Sequence, residues 1–119
     1  MDKIIFLDQE YDVHYNMLSF EKIAEDMGVE NIEEMGQQMM SGNIKVLLKS
    51  SRIIAYNGLL CASKVNGTDC PFDSVEQLGE KVTKFSDLNP FSEVFTKTWL
   101  GFFTDNSDEK VEKKAKGAK

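Results

Sequence analysis

The stretch YDVHYNMLSFEKIAEDMG, residues 11–28, switches from a period of two to a helical period within a few residues. Over Tyr11 to Tyr15 the side chains alternate: Tyr11, Val13 and Tyr15 share one face, Asp12 and His14 the other, wet one, which is the pattern of a half-buried strand. From about Met17 the apolar positions Leu18, Phe20, Ile23, Ala24 and Met27 recur at helical spacing. Asn16 or Ser19 can cap this helix and Gly28 stops it, while Glu21, Glu25 and Asp26 are expected to face solvent. Upstream, Ile4 to Leu7 reads as a second short strand joined through Asp8, Gln9 and Glu10, so the chain opens as a hairpin that feeds a helix.

Downstream the pattern stays helical. Asn31 can cap a short helix through Met40, and Ser41, Gly42 and Asn43 signal a turn. A longer helix is expected from about Ile44 to Lys64, with Ile44, Leu47, Leu48, Ile54, Ala55, Leu59 and Ala62 apolar. Gly58 costs that helix roughly 1 kcal/mol against Ala, a cost that close helix packing would explain. The run Asn66 to Pro71 breaks the pattern, and Asp73 or Ser74 starts a fourth helix using Val75, Leu78, Val82 and Phe85. Asn89 and Pro90 read as a cap followed by proline in the first helical position, opening a last helix from Phe91 to Phe103. These elements predict an α+β fold, a mostly helical single domain over residues 1–103 with an N-terminal β-hairpin followed by about five helices. Its expected core is Tyr11, Val13, Phe20, Ile23, Leu47, Ile54, Leu78, Val82, Phe91 and Phe95. Residues 104–119 hold Val111 as their only large apolar residue, so a flexible, charged tail is expected there.

Composition narrows the function. A chain of 119 residues, 41% apolar and 29% charged, has room for one domain around one core. A net charge of −6 and a pI near 4.8 argue against nucleic acid or an anionic membrane as main partner, since phosphate binding needs clustered Lys and Arg. The N-terminus offers only Lys3 and the apolar run Ile4 to Leu7, too short for a signal peptide or membrane span, and Cys61 and Cys70 are too few to staple a secreted mini-protein. A reduced, cytoplasmic protein is expected. Two thiols and one histidine cannot complete a four-ligand Cys/His zinc site, and no phosphate-cradling glycine loop or EF-hand pattern is present, so neither metal nor cofactor is expected. His14 beside Asp12 lacks a surrounding motif, Cys61 lies among helical apolar residues and Cys70 precedes Pro71, which leaves catalysis the weaker class. An enzyme built on His14 and Asp12 would require a cleft around that strand.

What remains is binding, and three groups are candidates. Six of the twelve aromatics, Phe85, Phe91, Phe95, Trp99, Phe102 and Phe103, fall within nineteen residues. On the last helix they cover about half of the circumference, wider than a single neighbour covers. Phe95, Trp99, Phe102 and Phe103 therefore read either as core or as a partner surface, including one between copies of this chain in a closed oligomer. The second group is Met35, Met39 and Met40, whose flexible thioethers suit core packing or adaptable contact with apolar partners. The third is basic. Residues 1–34 carry ten acids against Lys3 and Lys22, whereas residues 35–68 carry no acid and hold Lys45, Lys49, Arg52 and Lys64. Lys45, Lys49 and Arg52, at i, i+4 and i+7, share one helix face, which either packs beside the acidic segment, lies solvated, or meets an acidic partner.

The element order, a strand pair ending in an aromatic-rich strand, then NMLSFEKIAEDMG over residues 16–28, an apolar middle helix over Leu47 to Leu60, and a C-terminal helix before a charged tail, resembles the tail assembly chaperones of long-tailed bacteriophages. The similarity covers about residues 3–103, with Tyr15 through Gly28 matching the family's strand-to-helix opening. It implies a non-catalytic protein that coats the tape measure protein, keeps its hydrophobic helices soluble and helps recruit tail tube protein until assembly displaces it. Such a protein acts in the host cytoplasm and is not expected in the mature virion. In many members a ribosomal frameshift near the end of the short form yields a longer one, and Lys113 and Lys114 are codable by an adenine run that permits slippage. The resemblance assigns no binding residue. The competing reading is a small intracellular adaptor or regulatory subunit that binds another protein through the same helices.

Overall fold

The computed structural model of the chain describes residues 1–104. The tail expected over 104–119 lies, apart from Thr104, outside the described residues. The chain begins with β1 (Asp2–Phe6) paired antiparallel to β2 (Gln9–Val13), Phe6 opposite Gln9, so the connection is only Leu7 and Asp8. Both have positive φ, 52° and 64°, the left-handed pair whose twist matches a two-residue hairpin. This moves the strands and loop from the expected boundaries. The register is set by burial: Ile4, Phe6 and Val13 are inside, Ile5 is out, and Lys3 faces Asp12 on the outer surface, Nζ to Oδ1 2.6 Å.

Beyond β2 the extended chain carries Tyr15 into the core before α1 (Met17–Met27) starts. Asn16 is its cap: the Asn16 side chain accepts from the Ser19 backbone N–H at 3.0 Å, and Ser19 Oγ accepts from the Asn16 N–H at 2.7 Å. Gly28, at φ 72°, ends the helix and donates to the carbonyls of Ala24 and Glu25. The inward face is Ser19, Phe20, Ile23 and Met27; Leu18 is exposed, because the capping box turns Ser19 inward and the adjacent position outward. Asp26 is half-buried rather than wet, accepting from Lys22 Nζ at 2.6 Å and from Asn57 Nδ2 at 3.2 Å.

Helix α2 (Ile32–Met39) is capped by Asn31, which accepts from the Glu34 N–H at 2.8 Å. Helix α3 (Ile44–Asn66) continues past Lys64 to a stop at Gly67, φ 71°, and is the spine against which α1, α2, β2 and the later helices pack. Gly58 on this spine faces the end of β2 rather than another helix: a Cβ there would lie 2.5 Å from Tyr15 Oη and 2.9 Å from Val13 Cγ1. The Gly58 carbonyl accepts from the His14 N–H at 3.1 Å, and Tyr15 Oη donates to the Ile54 carbonyl at 2.7 Å. Burial pushes the Tyr15 phenol well above its usual range and keeps it a donor.

Helix α4 (Val75–Lys81), capped by Ser74, is shorter than expected. Val82 is already extended, Phe85 is exposed at the start of a 3-10 turn over Phe85–Leu88, and Leu88 takes the buried place. That turn runs into α5 (Asn89–Phe103), so Asn89 is itself helical and makes no capping bond, and Leu88 holds the cap position. The innermost side chains are Phe6, Val13, Ile23, Leu59, Leu78, Phe91 and Phe95. Tyr11, Leu47 and Val82 of the expected core are only half-buried: Tyr11 lies in the middle of β2, opposite Ile4, with its ring against Phe6 and Phe72, burial on α3 begins at Ser50, and Val82 has left its helix. The result is a mostly helical α+β domain, a two-stranded antiparallel hairpin followed by five α-helices. Among the described residues no helix is long and apolar enough to cross a membrane.

Candidate functional site

The aromatic helix α5 divides along its length. Its first turns bury Phe91, Val94 and Phe95; Trp99 is half-buried; Phe102 and Phe103 remain 43% and 50% exposed. Phe20 of α1 is the pivot of this arrangement. It stacks on Tyr15 with ring centroids 6.3 Å apart and meets Phe95 and Trp99 edge-on at 5.8 and 5.3 Å. Phe102 lies 5.1 Å from Phe20, and Trp99 lies 4.5 Å from Phe103. Centroid separations of this size are those at which aromatic pairs attract beyond simple area burial, so the exposed rings are held in place rather than dangling.

Beside Phe20, the α1–α2 connection brings up Val29 and α2 brings up Ile32 and Met35. Together with Met17, Ala24, Trp99, Phe102 and Phe103 they line an open groove of about 250 Å³. Met17 and Ile32 on its rim are 58% and 57% exposed. Among the described residues the only charged ones in the lining are Glu21 and Glu30. Exposed apolar side chains gathered around an open groove make this the candidate interaction surface of the domain.

The candidate residues fall into distinct places. Met35, Trp99, Phe102 and Phe103 come together in the groove. Phe95 is core, which corrects the partner-surface reading of it: its ring meets both Tyr15 and Phe20 edge-on and is fully buried. Met35 is itself buried, so it contributes groove floor, while Met39 packs against the core and Met40, at the end of α2, is 88% exposed and outside the lining. The three methionines are therefore not one surface.

Of the basic stripe, Lys45 and Lys49 are exposed, whereas Arg52 is half-buried, its Nη1 3.7 Å from Glu76 Oε2 of α4. Lys49 and Arg52 line a second opening of about 410 Å³ between α1, α3 and α4, where Lys22, Asp26, Asp73 and Glu76 mix both signs. His14 is half-buried beside the hairpin, and the Asp12 carboxylate is occupied by Lys3 and by Asn66 Nδ2 at 2.9 Å. Cys61 is buried on α3, which pushes its thiol pKa up. No group of three or more potential metal ligands occurs among the described residues.

Sequence reasoning missed Met17 and Ile32 as site residues and placed Phe20 only in the core. The available signal was positional: Met17 and Phe20 are three apart on α1, and Ile32 is the first residue after the Asn31 cap. No family model, curated protein sequence or solved structure matches this chain.

Proposed function

We propose that this chain is a non-catalytic binding protein that covers apolar helical surface on another protein, acting as a phage or prophage tail assembly chaperone toward the tape measure protein. The observation that carries this reading is the groove between α1, α2 and the end of α5, where Trp99, Phe102 and Phe103 meet Met17, Ile32 and Met35 with no element of the described residues across them. Aromatic rings held by neighbouring rings give a large, low-entropy apolar contact, and a thioether in the floor adapts to partners of varied shape. That combination suits a repetitive hydrophobic client better than one fixed ligand. The net charge of −6 keeps the chaperone soluble while the groove is empty. On this reading the protein works in the host cytoplasm, aids tail tube assembly and leaves before the virion is complete.

The test is co-expression with the product of a long downstream gene, with the soluble fraction measured. The expected result is that a tape measure protein, insoluble alone, is recovered in a complex with this chain. Equal solubility of that protein with and without the chain would overturn the proposal. Capture of a short, independently soluble regulatory partner through the same groove would replace it with the adaptor reading.

A further inference from the structure

The walls of the groove are helices and a capped connection, with no strand in the lining. An extended peptide laid there would leave its own N–H and carbonyl groups unpaired against apolar side chains, whereas a helix brings its backbone bonds with it. The long wall, α1, has eleven residues and so a length of about 16 Å, which matches three turns of an occupant. Charge then narrows the choice. Among the described residues Glu21 and Glu30 are the only charged groups in the lining, and Glu25 lies one turn on from Glu21. Among the described residues no lysine or arginine makes an ion-pair contact with any of the three, although Lys22 is near enough to feel the charge of Glu25. None stands between Lys22 and Lys45 in the chain, and Lys22 is committed to Asp26.

From this we infer, resting on the binding role proposed above, that the groove takes an amphipathic helix of another protein with an apolar stripe at i, i+3, i+4 and i+7 and Lys or Arg along its edges. The acids Glu21, Glu25 and Glu30 select the basic flanks, and the rings of Trp99, Phe102 and Phe103 take the stripe. The residues that follow Phe103 do not fit this description, since they hold Val111 as their one large apolar residue. A second copy meeting the groove face to face would set these acids against each other.

The experiment uses the full chain and three synthetic peptides of about fifteen residues, each labelled for anisotropy, with Trp99 emission as a second signal. One has a Leu stripe with Lys flanks, one the same stripe with Glu flanks, and one the Lys-flanked composition with the stripe scrambled. The Lys-flanked peptide is expected to bind roughly tenfold or more tightly than the Glu-flanked one, with affinity falling between about 50 and 500 mM salt. The Glu21→Lys/Glu30→Lys variant, altered only at exposed positions, is expected to reverse that preference. Equal binding of both striped peptides would overturn the basic-flank inference while leaving the groove's apolar role intact. Failure of every peptide, with Trp99 emission unmoved, would overturn both. Growth of particle mass with concentration that Ile44→Ser abolishes would put α3 of a second copy in the groove, where exposed Ile44 and Leu48 lie beside Lys45 and Lys49, and would overturn the claim of a foreign helix.

Discussion

Replacing Gly58 with alanine tests how the spine helix meets the hairpin. In an open helix interior this change stabilises by about 1 kcal/mol, because alanine loses less backbone entropy. Here the new methyl carbon would stand 2.5 Å from Tyr15 Oη, 2.6 Å from Tyr15 Cζ and 2.9 Å from Val13 Cγ1. Neither neighbour can yield cheaply, since Tyr15 and Val13 are buried and Tyr15 is tied to the Ile54 carbonyl at 2.7 Å. Overpacking of this kind costs about 1–3 kcal/mol, and displacing the phenol adds about 1 kcal/mol for its hydrogen bond. The net expectation for Gly58→Ala, after the propensity gain is subtracted, is a destabilisation of about 1–3 kcal/mol, against the sign of helix propensity. Urea unfolding followed by Trp99 fluorescence and far-ultraviolet circular dichroism would measure it, with the slope against denaturant unchanged. Gly36→Ala in α2 is the control: a Cβ there meets nothing within 4 Å, so a gain of about 0.5–1 kcal/mol is expected. A Gly58→Ala protein as stable as wild type, or more so, would refute the packing argument.

Other substitutions probe the hairpin and the groove's support. Leu7→Asn relieves a left-handed leucine at φ 52° in a two-residue turn and should raise the unfolding free energy by about 0.5–1 kcal/mol in the same titration. Asn16→Ala removes the cap that receives the Ser19 N–H and should cost about 1 kcal/mol, read as a lower urea midpoint. The Lys3 ammonium, hydrogen-bonded to Asp12, lowers the Asp12 carboxyl pKa. A depressed carboxylate stabilises the fold above its unfolded pKa and loses that contribution as pH falls through the folded value. Wild type should therefore lose more stability than Asp12→Asn on acidification below about pH 4, measured as the change in urea midpoint.

Much of the fold is legible because its boundaries are chemically local. Asn16, Asn31 and Ser74 cap helices within three residues of themselves, and Gly28 and Gly67 stop them in a conformation that glycine adopts freely. The errors are those where distant contacts override local preference. Leu7 and Asp8 form the turn because burial of Phe6 and Val13 fixes the strand register, although leucine is a poor residue for positive φ. Asn89 resembles a cap, yet the preceding 3-10 turn already carries the chain into helical geometry. The groove was legible only in pieces. Half-circumference aromatics on α5 signal a face that one neighbour cannot cover, but Phe20 lies more than eighty residues from Phe102 in sequence, and nothing local announces that Met17, Ile32 and Met35 complete the surface.

On the proposed function, the end of α5 is a partner surface and not part of what holds the domain together. Phe102→Ser/Phe103→Ser tests it most directly, through thermal unfolding of the purified variant and, in the same preparation, its ability to keep the co-expressed tape measure protein soluble. The expected result is a folded protein whose melting temperature changes by only a few degrees and whose proposed partner is lost to the insoluble fraction. A variant that fails to fold, or one that folds and still holds its partner in solution, would contradict it.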